Sequence, residues 1–155
     1  MRSYQLKVAA LGLEVPLWRR IVVPADITFA RFHNVVQAMF GWSDEWDHQW
    51  TVGGLSLGKP DDQSGFEVEN ERKFRLDAQM PKRHLTVYYA YGFDDGWTFE
   101  IDFESESQRS PSDAPFVCLE GAGSPHLERV GGPNSDLDLE AGFDLAGTNE
   151  RLAKA

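Results

Sequence analysis

Two runs of neighbouring carboxylates, Asp44, Glu45 and Asp47 and then Asp94 and Asp95, are the first residues of this chain with an evident chemical use. Hard divalent cations such as Mg²⁺ and Ca²⁺ take carboxylate oxygens, so these runs form a site if the two turns that carry them meet. Adjacent acids in turns also cap and solubilise, which is the plainer reading. The four histidines are dispersed: His33 falls in a helical stretch, His48 among tryptophans, His84 at the start of a strand and His126 after Pro125. His33, His84 and His126 have no second histidine at metal-ligand spacing, and structural or solvent-facing roles are expected for them. The single cysteine, Cys118, lies in an apolar run. It excludes an internal disulfide and an all-cysteine metal site, and it reads as a small core residue. Phosphate-binding loops, dinucleotide fingerprints and the His-Glu-x-x-His and Gly-x-Ser-x-Gly motifs are absent from the sequence.

Charge narrows the field further. The chain of 155 residues has a formal net charge of −10. Residues 1–40 hold five basic and two acidic side chains, a balance of +3, which leaves −13 for residues 41–155. Nonspecific affinity for nucleic acid comes from cations that displace counterions, so an acidic body argues against it, and any such binding would come from Arg19, Arg20 and Arg31. At this length one domain spanning residues 1–155 is expected. No apolar run is long enough for a transmembrane helix, and the first residues alternate instead of forming a signal-peptide core, which gives a cytoplasmic expectation.

The elements that must position these groups follow from periodicity. Tyr4, Leu6, Val8 and Ala10 alternate with Gln5, Lys7 and Ala9 over Tyr4–Leu11, and a second strand is expected over Leu17–Val23, with Arg19 and Arg20 on opposite faces and one of them meeting a carboxylate or ligand. Thr28 and Gly41 bracket about three turns of helix whose apolar stripe is Phe29, Phe32, Val36, Met39 and Phe40. In the next strand Trp46, His48, Trp50 and Val52 share one face. Glu67 to Met80 is ambiguous, with a short strand possible at Phe74 and Leu76. A hairpin runs over Leu85–Phe103 through Gly92 to Gly96, its outward residues Thr98, Glu100, Asp102 and Glu104 read as an edge. Ser105 to Pro115 reads as a loop, Phe116 to Leu119 as a short buried run and Phe143 to Leu152 as a final short helix. The order strand, strand, helix, strand gives an α+β fold, a mainly antiparallel sheet with one principal covering helix and a β-grasp-like (ubiquitin-like) opening.

Pro16-Leu17-Trp18-Arg19-Arg20, the helix ending in Phe40-Gly41-Trp42, the Trp46–Trp50 strand, the Tyr91–Phe99 hairpin, Cys118–Gly121 and His126–Gly132 occur in one order along the chain. In this it resembles the plasmid pRiA4b Orf-3-like family, proteins of unknown function found in plasmid and mobile-element contexts. The resemblance implies a polar cluster of His, Asp, His and Glu, of which His48, Asp95 and Glu128 remain. Phe99 and Trp46 stand where relatives often carry His, Asp94 where Gly is usual, and Gly92 and Arg129 where Asp is usual. The stretch between Gly132 and Phe143 is shortened, so the chain reads as a degenerate member.

Three readings follow. The first is a non-catalytic binding or interaction module that holds a protein or small ligand through Trp18, Arg19, Arg20, Trp46, Trp50, Tyr91 and Trp97, since Trp, Tyr and Arg concentrate interface energy. The second is a metal-dependent enzyme with a partly lost site at His48, Asp95 and Glu128, and the third a nucleic-acid-associated factor. With three surviving donors, no cofactor and no transition metal are expected, and His48 is expected to be a buried, hydrogen-bonded residue beside Trp46 and Trp50. A monomer or homodimer away from membranes is expected.

Overall fold

Alternation in the first segment puts Tyr4, Leu6 and Val8 on the buried face of β1 (Arg2–Ala10), each at most 2% exposed. The computed structural model describes residues 1–60, 67–80, 86–93, 96–125 and 142–155. After β1 come β2 (Trp18–Pro24), α1 (Phe29–Phe40), β3 (His48–Val52), β4 (Leu55–Gly58), β5 (Glu69–Asn70), a 3₁₀ turn at Glu71–Lys73 and α2 (Leu76–Gln79). The chain continues with β6 (Val87–Tyr91), β7 (Trp97–Gln108), β8 (Val117–Ala122) and α3 (Leu145–Leu152). Eight strands form one sheet in the order β5-β4-β3-β6-β7-β1-β2-β8, antiparallel except between β4 and β5. The architecture is therefore α+β, with one large sheet and few helices. Among the described residues no helix is long and apolar enough to cross a membrane.

Local chemistry fixes the ends of α1. Thr28 accepts a hydrogen bond from the Arg31 backbone N–H at 3.2 Å, satisfying one donor of the first turn. Gly41 adopts φ +72°, the left-handed conformation that suits glycine, and the Trp42 N–H closes back onto the Gln37 carbonyl at 2.8 Å. The last turn of α1 has no basic residue of its own. Arg151 on α3 supplies the charge instead, donating to the Ala38 and Met39 carbonyls at 2.8 and 3.0 Å. Phe29, Phe32, Val36 and Met39 of the stripe are fully buried over the sheet.

Several expectations need correction. β7 is not an edge: it pairs with both β6 and β1, and the edges are β5 and β8. Acidic residues of β7 instead meet basic residues across the sheet: Lys7 on the adjacent β1 is in register with Asp102, and Arg20 on β2, one strand further, grips Glu104 at 2.7 and 2.9 Å. β7 also runs on to Gln108, through part of the expected loop. Leu76 begins the helical turn α2 instead of continuing a strand. Leu85, Asp94 and Asp95 of the expected hairpin lie outside the described residues.

The Phe32 ring, fully buried, lies 5.0 Å from the Trp50 ring. Phe32→Ala is expected to lower stability by about 3–5 kcal/mol. Urea denaturation measures this, and an unmoved midpoint would show that the α1 face is not packed.

Candidate functional site

Where α1 crosses β3 and β6, polar side chains interrupt an otherwise aromatic core. His33 and Gln37, four residues apart and so on one side of α1, point at the sheet with 1% and 5% exposure. Beneath them lie Tyr89 on β6 and His48 on β3, and the His33 and His48 rings stack with centroids 3.5 Å apart and planes 7° apart. Trp50, 4.6 Å from Tyr89, and Phe99 wall off the sheet side.

Burial on this scale requires each polar atom to find a partner. The His33 Nδ1 lies 2.7 Å from the Tyr89 hydroxyl and its Nε2 2.8 Å from Asp44 Oδ1. The Asp44 backbone N–H donates to Gln37 Oε1 at 2.9 Å, and Gln37 Nε2 donates to the Tyr89 oxygen at 3.0 Å. The circuit can be assigned from its one unambiguous donor. A backbone N–H only donates, so the Gln37 oxygen faces Asp44 and its amide nitrogen faces Tyr89. Tyr89 then directs its proton to His33 Nδ1, and His33 directs an Nε2–H to the Asp44 carboxylate. Burial, then the adjacent His48, lower the His33 pKa to about 4 against the opposing pull of Asp44, so the ring is neutral at pH 7. Burial likewise raises Tyr89 well above the ordinary tyrosine value and keeps its proton in place.

His48 is anchored separately, its Nε2 2.6 Å from Glu71 Oε1, with both side chains at most 4% exposed. Glu71 reaches that position from the 3₁₀ turn, which Asn70 caps by accepting from the Arg72 N–H at 3.0 Å. Asp44 reaches His33 because the chain doubles back after Gly41, with Asp44 itself at φ +58°, a conformation that Asp tolerates better than most residues. The Lys59 ammonium lies 3.8 Å from the other Asp44 oxygen.

Beside this cluster a cleft of about 500 Å³ opens between α1 and the 3₁₀ turn, with His33 and Glu71 in its wall and Thr28, Arg31, Asn34, Lys59 and Arg72 around it; Ala155 also borders it. Among the described residues Arg31 and Arg72 make no ion pair, in a chain with 25 acidic side chains.

Of the residues singled out from the sequence, His33, Asp44 and His48 meet in the cluster and Arg31 lines the cleft, whereas the described members of the expected binding set lie elsewhere. Trp50, Tyr91 and Trp97 are core residues at most 1% exposed, so their rings cannot meet a partner. Arg19 is buried too, donating to the Trp18, Ala122 and Gly123 carbonyls and lying over Phe143 at 4.3 Å; burial lowers its pKa to about 10. Arg20 and Trp18 are half-buried on the outer face, with Arg20 held by Glu104 and Glu120. Trp46 precedes β3 and is 43% exposed, so it does not share the buried face of His48 and Trp50. Asp95 and Glu128, the remaining members of the expected cluster, lie outside the described residues, as do Asp94, His84, His126 and Arg129. Cys118 is buried, its thiol pushed up to about 11 chiefly by burial, and so is no nucleophile. His33, Asp44 and Glu71 were not grouped with His48 by sequence reasoning. Two local signals bear on them: the carboxylate run that contains Asp44, and the polar His33 and Gln37 at helical spacing beside an apolar stripe.

Tyr89→Phe is expected to cost about 1–3 kcal/mol, because it leaves Gln37 and His33 buried without their shared partner. Denaturation curves measure it; wild-type stability in the variant would mean that the circuit is not closed.

Comparison with known proteins agrees with the fold. The crystal structure of a protein of unknown function, MM3350 from Methanosarcina mazei Go1, superposes with a TM-score of 0.81 at 24% identity, covering 94% of this chain and 96% of that one. The uncharacterized protein y4hQ of Sinorhizobium fredii (strain NBRC 101917 / NGR234) is 32% identical over 130 residues, 83% of this chain and 66% of the relative, just under two thirds of its length. A profile of the plasmid pRiA4b ORF-3-like proteins matches residues 2–140, and the chain belongs to that family.

Proposed function

We propose that the protein is a non-catalytic binding module that holds a small anionic ligand in the cleft between α1 and the 3₁₀ turn. The observation that carries this reading is the concentration of Arg31, Lys59 and Arg72 around one cleft of a chain with net charge −10. Arg31 and Arg72, which have no carboxylate partner among the described residues, and Lys59, 3.8 Å from Asp44, raise the local concentration of anions at the cleft and supply charge-assisted hydrogen bonds to them. Thr28 and Asn34 add neutral polar groups. The ligand surface proposed here replaces the Trp46–Trp50 stretch and the hairpin rings, of which Trp50, Tyr91 and Trp97 are core.

The nucleic-acid reading has less support. Of Arg19, Arg20 and Arg31, the first is held by backbone carbonyls and the second by carboxylates, leaving Arg31 alone on the cleft. Three cations around one cleft suit a small phosphate or carboxylate better than the repeated phosphates of a polymer backbone. A cytoplasmic, mobile-element-associated setting and a monomeric or homodimeric state complete the proposal, as does a β-grasp-like grouping of β1, β2, α1 and β3, for which the element order is the support.

Calorimetric titration of the full chain with pyrophosphate and with citrate, in the presence of EDTA, tests it. Saturable, salt-sensitive binding of at least one anion is expected, weakened about tenfold or more in Arg31→Ala/Arg72→Ala, a change of about 1.4 kcal/mol. No saturable binding of either anion, or binding indifferent to both substitutions, would overturn the reading.

A further inference from the structure

We propose that His33, Asp44 and His48, with Glu71 beside them, form a site for one divalent transition-metal ion at the wall of the cleft. One ligand atom from each of His33, Asp44 and His48 lies within 4.8 Å of the others. Glu71 adds a second carboxylate, 2.6 Å from His48 Nε2. With metal–ligand bonds of roughly 2.0–2.2 Å the donors of one ion stand about 3–3.5 Å apart, so the 2.8 and 2.6 Å contacts open on ligation while the more distant donors close in.

The donor set selects the class of ion. Mg²⁺ and Ca²⁺ take oxygen ligands, and two imidazoles among the three clustered donors disfavour them as the natural occupants. Imidazole with carboxylate suits Zn²⁺, Co²⁺, Ni²⁺ or Fe²⁺. The two imidazole–carboxylate contacts, 2.8 and 2.6 Å long, each have a proton between a nitrogen and an oxygen, and a cation can take that place.

Ligation has two structural consequences. An imidazole nitrogen binds a metal in the plane of its ring, so the rings must tilt out of their 7° stack. If His33 ligates through Nε2, its proton moves to Nδ1 and is donated to the Tyr89 oxygen, whose own proton rotates away. Tyr89, itself held by Gln37, then becomes the partner that orients the ligating ring. The expectation of no transition metal rested on His48, Asp95 and Glu128; grouping His33, Asp44 and Glu71 with His48 removes its premise.

This inference goes beyond the anion-binding reading, and either can fail alone, since the anion titration is made with chelator present and the metal test without added anion. The full chain is stripped with EDTA, exchanged into chelator-free buffer and titrated with Co²⁺. Visible d–d absorption saturating at one equivalent and abolished by Zn²⁺ is expected. Asp44→Asn keeps an oxygen for His33 and a residue that accepts φ +58°, so it retains the fold while weakening the ligand. It should lower affinity at least about tenfold, and His48→Gln should abolish the absorption. Circular dichroism verifies folding, and Asp44→Asn decides alone if His48→Gln unfolds. No saturable Co²⁺ absorption in the folded wild type, or equal affinity in folded Asp44→Asn, would overturn the site.

Discussion

Two imidazoles in van der Waals contact inside an aromatic core oblige the surrounding chain to supply a partner for each of their polar neighbours. An unpaired buried donor or acceptor costs about 1–3 kcal/mol, comparable with a large share of a domain's net stability. The circuit from Asp44 through Gln37, Tyr89 and His33 back to Asp44 meets that demand by joining a helix, a loop and a strand. Its closure depends on how the chain leaves α1. Gly41 in the left-handed conformation ends the helix and reverses the chain, and Asp44 at φ +58° turns its amide toward Gln37, while the 3₁₀ turn separately carries Glu71 to His48.

The same principle operates at the opposite end of the core with different residues. Arg19 is 3% exposed and meets three backbone carbonyls, while Phe40 and Phe143 lie against its guanidinium. Arg151 satisfies the terminal carbonyls of α1 from α3. These arginines act as donors to the backbone and hold β2, β8, α1 and α3 together. That leaves Arg31, Arg72 and Lys59 as the cations of the cleft. The division explains how an acidic chain can present a basic cleft without unusual basic content.

What could be read from the sequence was what local chemistry determines. The Thr28 and Gly41 caps, the Phe29–Phe40 stripe and the alternation of Tyr4, Leu6 and Val8 depend on neighbours within one turn or one strand. Sheet order depends on pairing between distant segments, and β7, correctly expected as a strand, was therefore misplaced at an edge. The site was harder still. His33 lies 11 residues from Asp44 and 56 from Tyr89, and Glu71 lies 23 from His48, so no spacing motif links them. Glu71 also falls in the stretch whose periodicity matches neither helix nor strand. Tryptophan abundance pointed to a binding surface because interfaces and cores favour the same aromatic residues, and here Trp50 and Trp97 build the core.

The closed circuit makes a specific statement about one proton: in the metal-free protein it resides on His33 Nε2, facing Asp44, with Nδ1 accepting from Tyr89. Long-range nitrogen–proton correlation spectra of the imidazoles read that tautomer directly. At pH 7, His33 should be neutral with its proton on Nε2, and Gln37→Ala should disturb this assignment. A proton on Nδ1, or an imidazolium at that pH, would contradict the arrangement on which the site is built.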